Sequence, residues 1–123
     1  MSYLTDRKRA AGLGSAKSGT AHHWSMTVTS VALLILVPLF IFTFGAILGA
    51  PYAEVVAYYQ RPFPAVVAAL TFTVGFKHLV GGAQVMIEDY VHGLAGKIAL
   101  LAVTCISYAA LAAALFALVR LAL

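Results

Sequence analysis

Apolar residues run along this chain in three long blocks, at 26–49, 64–87 and 98–119, separated by short polar stretches. Each block can cross a hydrocarbon core about 30 Å thick, which takes roughly 20 residues of helix. None has the short alternation of polar and apolar positions that marks a barrel strand, and a bilayer requires backbone N–H and C=O groups to be paired within the spanning segment. The pattern predicts an all-α membrane protein. It has a single membrane domain of three transmembrane helices, over about 25–49, 64–89 and 97–121, behind a tail of residues 1–24.

The blocks are not alike. The first and third contain no charged residue, whereas the second carries Lys77 and His78 within GFKHLVGGAQVMIEDYVHG, Gly75 to Gly93, and closes on Glu88, Asp89 and Tyr90. An ionisable side chain deep in a membrane helix is costly and ordinarily faces a bundle interior, a cavity or a ligand. His78 lies nearer the middle of its helix than either end, and a neutral imidazole can bind a metal through one ring nitrogen while the other donates a hydrogen bond. Gly75, Gly81 and Gly82 fall within about 60° of it around the helix axis. Glycine weakens a helix interior, so this cleared flank has two readings. Either a flat or bulky group such as a porphyrin, with His78 as axial ligand, approaches the backbone, or another helix packs closely there and His78 hydrogen-bonds across the interface.

Asp89 follows His78 by three helical turns plus about 20°, which puts it about 16 Å further along the same face. A carboxylate and a phenol at a lipid–water boundary suit a redox molecule that takes up protons together with electrons. Tyr90 would hydrogen-bond a carbonyl oxygen, and Asp89 would orient Tyr90 or relay protons. Helix termination and interfacial anchoring are the plainer explanation of the same residues. Lys77 points about 100° away from His78, so it either snorkels along its stem or meets a propionate or an acidic group on a partner.

Composition and charge add the setting. Hydrophobic residues fill 63% of the 123 positions, charged residues 10%, and the mean hydropathy is +0.96, outside the range of soluble domains. Arg7, Lys8, Arg9 and Lys17 stand in the tail and Lys97 on the same side, against Arg61 and Arg120 on the other. That bias predicts a cytoplasmic N-terminus, with residues 50–63 facing outward. An anionic leaflet accounts for the net charge of +4, and no nucleic-acid partner is needed. The apolar run starts too far behind the basic cluster, and runs too long, for a cleavable signal peptide. Cys105, the only cysteine, lies inside the third block and leaves no thiolate metal site or disulfide. Trp24, Tyr52, Tyr58 and Tyr59 read as interfacial aromatics, and Pro38 marks a candidate kink in the first helix. Three helices bury little surface of their own, so a protein partner is expected.

The pattern of His78, ten residues, then Asp89-Tyr90, on the middle helix and ending QVMIEDYVHG, resembles the smaller hydrophobic membrane anchor subunits of succinate dehydrogenase, respiratory complex II. The resemblance implies a bacterial inner-membrane assembly with a second anchor subunit of the cytochrome b556 type, an iron–sulfur subunit and a flavoprotein that oxidises succinate. It further implies that His78 is one of two axial ligands of a shared haem b, that Tyr90 hydrogen-bonds ubiquinone, and that Asp89 supports the ubiquinone site. The chain itself would be a non-catalytic electron-transfer subunit. Two departures stand out. Many relatives carry an arginine early in the first helix, where this chain reads SMTVTS, Ser25 to Ser30; and Lys77 replaces an apolar residue or a second histidine. His22 and His23 read as interfacial histidines without a ligand, with contact to haem propionates as the alternative. A haem-free scaffold of another respiratory complex, or a fumarate reductase anchor, is the competing reading.

The charge bias generates a direct prediction. In intact spheroplasts an impermeant thiol reagent should label a cysteine placed at Ala53 and spare one placed at Ser2 until the membrane is opened; the reverse pattern would invert the topology.

Overall fold

The computed structural model describes residues 5–12 and 19–123. These residues form five helices and no strand: α1 (Asp6–Ala11), α2 (Gly19–Gly45), α3 (Tyr52–Tyr59), α4 (Pro62–Tyr90) and α5 (Gly93–Ala122). Three of them, over Thr20–Gly45, Pro62–Tyr90 and Gly93–Ala122, are long and apolar enough to cross a membrane. The boundaries differ from the sequence expectation in ways that local chemistry explains. Helix α2 already runs through Ala21, His22, His23 and Trp24, and the helix continues through Pro38. It ends at Gly45, after which Gly49 takes a φ of 82° that only glycine adopts freely. Pro62 starts α4 at a position where a missing N–H costs nothing. Between α4 and α5 only Val91 and His92 intervene, and Gly93 at φ 70° lets the chain reverse.

Helix α4 is the middle member of an open layer. It packs against α2 on one side and α5 on the other, while the α2 and α5 backbones stay apart among the described residues and approach only through side chains at the α3 end. Short α3 tucks against α4 and α5. The small core lies at that end, built on Tyr59, Ala68 and Leu118 with Phe40, Ile47 and Phe72 against it. Tyr59 is therefore core rather than an interfacial aromatic: it is only 7% exposed, and burial, then the neighbouring Tyr58, raises its phenol above the ordinary value. Elsewhere the apolar surface is open, with Leu34, Phe42 and Phe116 each more than half exposed. Such a surface needs lipid or another protein over it.

The α2–α4 seam is antiparallel and regular. Phe40 meets the Phe72 ring edge-on at 5.6 Å, Leu36 C=O lies 3.5 Å from the Thr71 hydroxyl, and Leu33 faces Gly75. Further along, Thr29 meets His78 and Met26 faces Gly81. The α2 members recur at three- and four-residue intervals, one stripe of a helix laid along another. Hydroxyls inside the spans are satisfied locally: Thr27, Ser30, Thr43, Thr73 and Thr104 all donate to the carbonyl four residues back. This internal pairing lets polar side chains sit at membrane depth without water.

Gly96 is where the α4–α5 reversal is tightest, because a β-carbon there would strike the Val91 carbonyl, which is backbone and cannot swing aside. Gly96→Ala should cost about 1–3 kcal/mol through overpacking, read as a lower melting midpoint of the detergent-extracted protein. Gly45→Ala, with nothing within 4 Å of the added carbon, should leave the midpoint unchanged.

Candidate functional site

His78 is half-buried in the middle of α4, and its Nδ1 lies 2.9 Å from Thr29 Oγ1 on α2. Thr29 is 5% exposed, and its hydroxyl is also 2.9 Å from the Ser25 carbonyl and 3.0 Å from the Met26 carbonyl. Carbonyl oxygens only accept, so the single hydroxyl proton belongs to one of them; Thr29 Oγ1 then has a lone pair for His78 Nδ1. With the hydroxyl proton on a carbonyl, the His78 tautomer that pairs with Thr29 carries its proton on Nδ1 and leaves a lone pair on Nε2. No hydrogen bond to His78 Nε2 is present among the described residues.

The glycines around His78 serve α2. A β-carbon on Gly81 would lie 2.5 Å from Met26 Sδ and 3.7 Å from His22 Cε1; on Gly82, 3.9 Å from Met26 Cε; on Gly75, 4.0 Å from Leu33 Cδ2. The cleared flank is thus filled by a helix of the same chain, and of the two readings of these glycines the structure bears out close helix contact. Contact and ligation are not exclusive, however, because the seam engages Nδ1 and leaves Nε2 free.

His22 lies two turns before Thr29, half-buried, with a buried Nε2 that has no partner among the described residues. His23 and Lys77 are exposed. Asp89 and Tyr90 are the last two residues of α4, both exposed, Tyr90 by 80%. Helix rise puts them about 17 Å beyond His78. The structure brings His78 together with Thr29 and does not bring it to Asp89 or Tyr90. Their neighbour Glu88 accepts from Gln84 Nε2 at 2.9 Å and shares with His92 and Lys97 a cavity of about 310 Å³ at the α4–α5 reversal. A larger cavity of about 460 Å³, lined by Phe40, Phe44, Tyr59, Phe72 and Leu118, lies at the α3 end and has no part in the His78 network.

Thr29 is the residue that sequence reasoning missed. It stands within SMTVTS, a stretch notable at that level only for lacking an arginine, and nothing local in the sequence marks it. The described residues contain no cluster of three or more His, Cys, Asp or Glu able to cage a metal ion. An iron that brings four nitrogens of its own needs no such cage, and one free imidazole nitrogen per chain suffices as its axial ligand. A single imidazole is compatible with an iron of that kind.

Comparison with known proteins supplies the family context. A family described as "Succinate dehydrogenase/Fumarate reductase transmembrane subunit" matches residues 1–119. The chain is 45% identical over 123 residues to the "Succinate dehydrogenase hydrophobic membrane anchor subunit" of Paracoccus denitrificans, covering 100% of this chain and 95% of that one. No solved structure matches it.

Proposed function

The chain belongs to the succinate dehydrogenase/fumarate reductase transmembrane subunit family, and on that premise we propose that it anchors a succinate dehydrogenase in the bacterial cytoplasmic membrane. In this reading its N-terminus is cytoplasmic, it shares a b haem with a second anchor subunit, and it contributes to the site where ubiquinone is reduced. The iron–sulfur and flavoprotein subunits complete the assembly and carry electrons from succinate. The observation that carries the reading is the placement of His78, half-buried in the middle of α4, with Nδ1 engaged by a buried threonine and no hydrogen bond to Nε2 among the described residues.

His78 would hold the iron on one side only. His22 and His23 lie in the first turns of α2 and His92 between α4 and α5, and the chain has no further histidine, so a second histidine for the iron would come from a partner. The open layer of α2, α4 and α5, with wide apolar faces, is a form that favours such a partner. When bound, the haem supplies a one-electron relay. Near the end of α4, Tyr90 donates its phenol proton in a hydrogen bond to a quinone carbonyl. Asp89 accepts protons from water and passes them on, since reduction of a quinone to a quinol takes up two electrons and two protons. Exposure of both residues at the helix terminus supports a substrate that arrives from outside the chain.

A second reading, a haem-free scaffold, is favoured by one observation: α2 accounts for the glycines around His78 without any cofactor. The b-type optical signal of the purified complex separates the two. His78→Ala should abolish or strongly alter that signal; an unchanged spectrum would remove the ligand role. Tyr90→Phe should lower quinone reduction about tenfold, the worth of one hydrogen bond of about 1.4 kcal/mol, while succinate oxidation with an artificial acceptor stays intact. Equal loss of both activities would instead mean misassembly.

A further inference from the structure

We propose that Thr29 is a positioning residue that fixes the tautomer of His78, strengthens Nε2 as an iron ligand, and thereby lowers the reduction potential of the haem. This inference rests on the ligand reading above and concerns a residue that neither touches iron nor takes part in electron transfer.

Toward His78 the geometry favours Thr29 as the acceptor. When its one proton is donated to the Ser25 or Met26 carbonyl, at 2.9 and 3.0 Å, the 2.9 Å contact with Nδ1 is an N–H···O bond. A hydroxyl that already donates to a carbonyl is polarised and accepts more strongly. At 5% exposure no water competes for the contact. The β-branched side chain has few rotamers in a helix, so the oxygen is held in place before any ligand binds. Hydrogen bonding at the distal nitrogen of a ligating histidine orients the ring and raises its basicity. A more basic imidazole favours the ferric over the ferrous state, so the potential falls.

The glycines acquire a purpose in the same geometry. A threonine side chain is short, and it reaches His78 where α2 lies close against Gly81, with Met26 in the space a β-carbon there would take. Clearing of the helix thus serves the ligand indirectly, by bringing an acceptor to its far nitrogen.

The test is a redox titration of the b-haem band in the purified complex, together with the low-spin ferric signal in electron paramagnetic resonance. Thr29→Val keeps the shape and removes the acceptor; its midpoint potential should move to more positive values and its g values should shift. Thr29→Ser should return both toward the unsubstituted protein. A valine variant with unchanged potential and unchanged g values would overturn the proposal, as would a serine variant that behaves like valine. If Thr29→Val strips the haem from an otherwise assembled complex, retention of haem at near-normal potential by Thr29→Ser supports the proposal, and loss in both variants overturns it in favour of a purely steric role. Failure of the ligand reading itself would look different, as a b-haem signal that survives His78→Ala.

Discussion

A polar ring inside a membrane helix must have somewhere to put its hydrogen-bonding groups, and in this chain the 2.9 Å contact between His78 Nδ1 and Thr29 Oγ1 answers that need for one of two nitrogens. Everything around the contact is arranged for it. Glycines on α4 let α2 approach, Thr29 disposes of its own proton within α2, and the seam continues as ordinary apolar packing through Leu33, Leu36 and Phe40. The second nitrogen is left over. In hydrocarbon an unpartnered imidazole nitrogen is expensive, and the proposed haem would supply its partner.

The same incompleteness appears at the scale of the fold. A layer in which α4 packs along both neighbours while their backbones stay apart encloses little core, and only the α3 end gathers one around Tyr59, Ala68 and Leu118. Without a bilayer and companion helices, much of the apolar surface would face water. Local devices supply what stability the chain has by itself: hydroxyls bonded within their own helices, proline at the start of α4, and Gly93 and Gly96 permitting a reversal of two residues. Membership of a family of transmembrane subunits fits a polypeptide that is finished only by assembly.

How much of this was legible in the amino acids depends on how local the cause was. Apolar block length predicted three spans because backbone pairing in lipid leaves helices as the simplest outcome, and His78 stood out because the cost of burying it is intrinsic. The helix ends were less legible: Gly19 to Trp24 read as tail because polar composition hides helical continuation, and α5 starts at Gly93 because that glycine's positive φ ends the turn early. Tyr59 read as an interfacial aromatic, since nothing local tells a belt tyrosine from one enclosed by α5. Glycines near His78 could be assigned a flat ligand or a helix with equal ease, because spacing shows a cleared flank and not its occupant. Thr29 was invisible for a related reason: its role exists only through a residue 49 positions away, and the antiparallel register that joins them is a property of the packed seam.

The decisive measurement is a structure of the assembled complex at a resolution that defines the His78 ring and its surroundings. The expected result is iron bonded to Nε2 of His78 beneath a porphyrin shared with a partner's ligand, with Nδ1 still on the Thr29 hydroxyl. A ring whose Nε2 meets only acyl chains or a partner's side chain, or one turned so that Thr29 is released and Nδ1 faces the iron, would contradict it.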